Sequence, residues 1–106
     1  MNIQNLLQMG QQIQDQISEI QESLGTREIT ASSGGGMVTA VVDGKGSLRR
    51  IAIDPASVDT ADVEMLEDLV LAAVSEAQNQ ARAVYEDEMK RFTGGLPLPI
   101  KLPGLL

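Results

Sequence analysis

Three spacings of apolar residues follow one another along this chain, and each predicts a different element. In the first segment Leu6, Gly10, Ile13, Ile17, Ile20 and Leu24 recur in steps of four and three, separated by Gln, Asp, Glu and Ser. That is a nearly perfect heptad, which predicts a helix with a narrow coiled-coil seam rather than a broad core face. Gly10 lies on the seam, where it costs about 1 kcal/mol of helix propensity against alanine. Either another backbone approaches closely there or the first turns fray. Gly25 stands where a left-handed cap would follow Leu24.

Between residues 27 and 54 the period drops to two. Ile29 and Ala31 alternate with polar neighbours, and Gly34-Gly35-Gly36 reads as a turn. Val38, Ala40 and Val42 then interleave with Met37, Thr39 and Val41, which suits a strand apolar on both faces. Asp43-Gly44-Lys45-Gly46 is a hairpin signal, because Asp-Gly tolerates the positive φ of tight turns. Ile51 and Ile53 mark a third strand, completing an antiparallel three-stranded meander.

Asp54-Pro55 ends the sheet: aspartate caps and proline suits a first helical position, so Pro55–Val58 is expected to form a short helical turn. Asp59 or Thr60 is placed to cap a second long helix, with Asp62 and Glu64 in its acid-favouring first turn. Its apolar stripe is Leu66, Leu69, Val70, Ala73, Val74, Ala77, Ala81, Val84, Tyr85 and Met89, closed by Lys90-Arg91 and Gly94-Gly95. The small residues at 73, 77 and 81 would admit a neighbouring helix at close range. A helix over residues 61 to 92 is about 45 Å long, whereas a compact globule of this length has a radius of gyration near ~13 Å. One copy cannot cover such a helix. The pattern therefore predicts an α+β domain, α-β-β-β-α, with two long protruding helices and an elongated homodimer. Residues 1–95 form that domain. Residues 96–106 are a Leu/Pro-rich C-terminal tail, which proline keeps out of helices and central strands. That tail is either disordered or docked in a groove of the dimer or of a protein partner.

Composition narrows the chemistry. Tyr85 and Phe92 are the only aromatics, so Ile, Leu, Val, Met and Ala must carry a modest core. The net charge is −7, from 8 Lys/Arg against 15 Asp/Glu, which repels nucleic acid and anionic membranes unless the cations gather on one surface. With no Cys there is neither a disulfide framework nor a thiolate metal site. Residues 1–24 carry no basic residue, so no signal-peptide n-region is expected, and no apolar run approaches the ~20 residues of a membrane span. A cytoplasmic location is expected, with no membrane partner.

The candidate chemical motifs give way to structural readings. A phosphate loop must lead into a helix N-terminus, but Gly34-Gly35-Gly36 leads into the strand Met37-Val38-Thr39. Glu67-Asp68 and Glu86-Asp87-Glu88 are consecutive acids on one helix, pointing in different directions as a solvated face does. With no His or Cys, no base is placed to activate Ser, Thr, Lys or Tyr. No catalytic residue, metal or cofactor is expected. The cations remain: Arg27 at the first strand, Lys45 in the hairpin, Arg49 and Arg50 on the third strand, and Arg82, Lys90 and Arg91 on the second long helix. As strand neighbours, Arg49 and Arg50 should point to opposite faces. The alternative reading is ordinary surface charge, with Arg82 answering Glu86 at i+4.

Arg50-Ile51-Ala52-Ile53-Asp54-Pro55, followed by Glu64-Met65-Leu66-Glu67-Asp68-Leu69-Val70, resembles the YbaB/EbfC family of bacterial nucleoid-associated proteins. The resemblance spans nearly the whole chain. It includes Gln8-Met9-Gly10-Gln11-Gln12, the glycine turn before Val38, the Ala-rich helix and the Leu-Pro tail. It implies a tweezer-shaped homodimer that binds duplex DNA and serves chromosome organisation, gene expression or recombination repair. Many members carry lysines along the first helix; here that helix has none and bears Asp15, Glu19 and Glu22 instead. The DNA-contact role is therefore carried onto Arg27, Arg49, Arg50, Arg82, Lys90 and Arg91 alone. Leu6, Gly10, Ile13, Ile17, Ile20 and Leu24 are the expected dimer or helix seam. The alternative is an acidic coiled-coil scaffold that engages a protein partner through its helices or tail, with little DNA contact.

Overall fold

A helix that runs directly into a strand opens the described part of the chain. The computed structural model describes residues 2–94, so the tail over 96–106 lies outside the described residues. The elements are α1 (Ile3–Thr26), β1 (Glu28–Ser33), β2 (Val38–Asp43), β3 (Leu48–Ile53) and α2 (Val63–Gly94). Single 3-10 turns occupy Gly34–Gly36 and Pro55–Ser57. The expected α-β-β-β-α order and the antiparallel meander β1-β2-β3 are both present.

Several local details differ from the sequence expectation. Gly25 is not a left-handed cap. It belongs to the last turn of α1, and Arg27 already has extended backbone, φ −75° and ψ 138°. The freed carbonyl of Leu24 instead accepts from Arg27 N–H and from Gly44 N–H of the β2–β3 turn, at 3.3 and 2.8 Å. In that turn the positive φ falls on Gly46, at 88°, rather than on the Asp-Gly pair. Gly44 is needed for another reason: a Cβ there would lie 2.7 Å from the Leu24 carbonyl oxygen. At the start of α2, Asp62 is the cap, accepting from Met65 N–H at 3.1 Å, while Asp59 shapes the preceding turn through Ala61 N–H at 2.9 Å. Asp54 does cap the Pro55 turn, accepting from Ala56 N–H at 3.0 Å.

The core is a helix laid on half a sheet. Ala73, Ala77 and Ala81 of α2 are fully buried against Val38, Ala40, Val42 and Ala31. The small-residue stripe thus seats strands β1 and β2 and not a neighbouring helix. Alanine brings the helix axis close enough for valines on the central strand to fill the space. Strand β3 is left uncovered along its whole length. Ile51 and Ile53 pair with Ala40 and Val38 and so share the helix-facing side of the sheet, yet remain 39% and 40% exposed.

The outer half of α2 runs beside the C-terminal half of α1, where Ile20 and Phe92 line one groove and Arg27 pairs with Glu88 at 3.8 Å. Along the expected seam Leu24 is buried, and Ile13, Ile17 and Ile20 are half-buried. Leu6 is 50% exposed, and nothing lies within 4 Å of a Cβ built at Gly10. Within one chain the seam is packed only towards its root. The elongation inferred from helix length is seen directly: the radius of gyration is 19.7 Å and the extents are 70 × 24 × 16 Å.

Candidate nucleic-acid interface

Of the six cations singled out in the sequence, four are already engaged by carboxylates. Arg49 and Arg50 do not point to opposite faces. The β2–β3 register slips between Val41 and Val42, so Arg49 sits in a bulge and the two guanidiniums line one concavity. Arg49 donates to Asp43 at 2.9 Å and to the Gly25 carbonyl at 3.3 Å. Arg50 reaches across β2 to form two bonds with Glu28, at 3.1 and 3.3 Å. Its guanidinium holds the Glu28 carboxyl below the usual carboxylate range.

Asp43 is the one buried charged residue of the described chain, 3% exposed. Burial pushes its carboxyl up, but the backbone N–H groups of Ser47 and Lys45 and the Arg49 guanidinium outweigh that and hold it below the usual range. This carboxylate organises the turn: it fixes two backbone amides and one arginine at once.

The outer helices repeat the pattern of pairing. Arg91 sits 3.5 Å from both Asp87 and Glu88, and Arg27 also shares Glu88. Arg27 additionally lines the Arg49–Arg50 concavity, and Arg91 lines a groove with Glu19, Ile20 and Phe92. Among the described residues, Lys45, Arg82 and Lys90 make no ion pair. Arg82 therefore does not answer Glu86, as its i+4 spacing suggested.

Two of those three cations line one concavity. A concavity of about 390 Å³ between the β2–β3 turn and the middle of α2 is lined by Lys45, Gln78, Arg82 and Tyr85, together with Gly44, Gly46 and Ala81. Gln78 donates to the Gly46 carbonyl at 3.1 Å, tying turn to helix. Sequence reasoning left Lys45, Gln78 and Tyr85 out of the candidate set. The i, i+4 and i+7 spacing of Gln78, Arg82 and Tyr85 marked one helix face, but nothing local tied that face to the hairpin. Among the described residues there is no group of three or more potential metal ligands, and no helix is long and apolar enough to cross a membrane.

Known proteins match this architecture along most of its length. A solved structure of an uncharacterized protein, HP0035 from Helicobacter pylori, superposes with a TM-score of 0.79 over 89% of this chain and 99% of that one, at 21% identity. That likeness establishes the fold. A nucleoid-associated protein of Thermoanaerobacter sp. (strain X514) is 48% identical over 98 residues, covering 92% of this chain and 88% of the relative. One from Gemmatimonas aurantiaca is 43% identical over 103 residues, covering 97% and 99%. Residues 1–96 match the YbaB/EbfC DNA-binding family, and the chain belongs to that family.

Proposed function

We propose that this is a non-enzymatic, cytoplasmic nucleoid-associated protein that binds duplex DNA as a homodimer through phosphate contacts. Its role would lie in chromosome organisation, gene expression or recombination repair. The observation that carries the reading is membership of a DNA-binding family along nearly the whole chain, with relatives at 43% and 48% identity named as nucleoid-associated proteins. Contacts to phosphate carry no sequence information, so binding should depend on salt far more than on sequence. The homodimer reading is supported by the uncovered sheet edge: Leu48, Ile51 and Ile53 of β3 and Leu71 of α2 are 46%, 39%, 40% and 66% exposed. A second copy is the occupant that fits a free strand edge beside an apolar helix flank.

Fluorescence anisotropy with a duplex of ~30 base pairs, titrated with salt, tests the DNA reading. Expected is micromolar or tighter binding whose log–log salt slope is about −0.9 per phosphate neutralised. Absence of binding at low salt would overturn it. Charge reversal of Lys90 and Arg91 to Glu is expected to weaken binding, and unchanged affinity would remove both from the interface.

One observation favours a second reading, an acidic scaffold for a protein partner. Helix α1 bears Asp15, Glu19 and Glu22, no Lys or Arg, and an outer end where Ile3, Leu6 and Leu7 are 73%, 50% and 69% exposed. Deleting residues 96–106 should abolish capture of such a partner if the tail is what it binds, and leave DNA binding intact.

A further inference from the structure

We infer that the notch between the β2–β3 turn and the middle of α2 seats a DNA backbone phosphate between Lys45 and Arg82. The inference rests on the duplex-binding reading and names the point of contact. Among the described residues, cations line the notch and two further concavities, and these differ in one respect. The one holding Arg27, Arg49 and Arg50 also contains Glu28 and Asp43. The one holding Arg91 contains Glu19 and Glu88. The notch is lined by two cations, a glutamine and a tyrosine, and by no carboxylate.

In a chain of net charge −7 that difference decides where a phosphate can sit. At the paired arginines a phosphate must displace or lie beside a carboxylate, and the like charges repel over a few ångströms. At Lys45 and Arg82 no ion pair has to be broken. The one acid nearest in sequence, Asp43, is drawn inward by the amides of Lys45 and Ser47 and by Arg49. It does not line the notch.

The site is also fixed before any ligand arrives. Gly44 N–H is held on the Leu24 carbonyl at 2.8 Å, and the Gln78 amide holds the Gly46 carbonyl at 3.1 Å. A turn pinned at both ends loses little freedom on binding. The guanidinium of Arg82 offers a fork of donors suited to phosphate oxygens, the Lys45 ammonium a point charge, and Tyr85, 43% exposed, a hydroxyl donor at the rim. A volume of about 390 Å³ leaves room for the sugars flanking the phosphate.

The test is anisotropy of the full chain on a ~30-base-pair duplex across a salt series, with Lys45→Ala, Arg82→Ala and the double variant. Arg50→Ala removes the same charge from a cation already paired with Glu28 and serves as the paired-cation comparison. Each notch variant is expected to weaken binding about fivefold at ~100 mM salt and to lower the salt slope by about one for each phosphate no longer neutralised. Arg50→Ala should cost clearly less. Lys45→Arg and Arg82→Lys should retain most of the affinity, which separates removal of a cation from damage to the fold. Notch variants no weaker than Arg50→Ala, or an unchanged salt slope, would overturn the notch while leaving the DNA reading in place. A parent protein that fails to bind duplex at low salt would overturn both.

Discussion

A side chain at position 44 would meet the Leu24 carbonyl oxygen at 2.7 Å, whereas one at position 25 would meet only the Lys45 side chain, at 3.8 Å. Two glycines that look alike in the sequence therefore have opposite tolerances. Gly44→Ala is expected to destabilise by about 2 kcal/mol, since backbone must shift to relieve the clash. Gly25→Ala, in the last turn of α1, should be neutral or stabilising by up to about 1 kcal/mol. Thermal unfolding of the two variants checks the contrast. Asp43 belongs to the same neighbourhood and sets an acid limit. Its folded pKa is lowered, so its contribution is fully present above its unfolded value near 3.8 and is lost as pH falls through the folded value. Unfolding on acidification should accordingly steepen below about pH 4 in the parent and not in Asp43→Asn. That variant, losing the carboxylate that pairs with half-exposed Arg49 and accepts from two turn amides, is expected to cost about 1–2 kcal/mol near neutrality. The sequence showed that a hairpin stood at residues 43–46. It could not show which glycine bore the positive φ, because Gly44 is constrained by the carbonyl of Leu24, far back along the chain.

Every helix and strand was legible from periodicity, and their boundaries came within a few residues. What periodicity misassigned was the partner of a face. Ala73, Ala77 and Ala81 have the spacing of a close helix contact, but they pack on β1 and β2. Small residues permit close approach by a strand as readily as by a helix, and spacing on one element carries no information about the other. Arg49 and Arg50 illustrate the same limit. Strand alternation sends neighbours to opposite faces, and a bulge, which depends on register with β2, cancels it. Along the α1 seam Leu24 is buried at the root, whereas Leu6 and Gly10 are left uncovered by the chain itself. Gly10→Ala is thus expected to stabilise by about 1 kcal/mol from helix propensity. Loss of stability instead would show that a backbone from another molecule rests on that position.

At the scale of the whole molecule, the 32-residue α2 belongs to two environments. Its first half roofs the sheet, and its second half projects beside α1. The roof leaves β3 and the flank at Leu71 bare, and that is the surface a second copy would cover. Leu71→Glu is expected to shift the protein towards monomer in sedimentation equilibrium while leaving the buried alanine stripe intact. Persistence of a dimer would move the interface to the α1 seam, where Ile17→Asp becomes the informative variant. The bond between Gly44 N–H and the Leu24 carbonyl has a further consequence at this scale. It rivets the β2–β3 turn to the foot of α1, so a load on the turn is carried straight into the base of the projecting helix. On the phosphate reading, DNA held at Lys45 would pull directly on that tie.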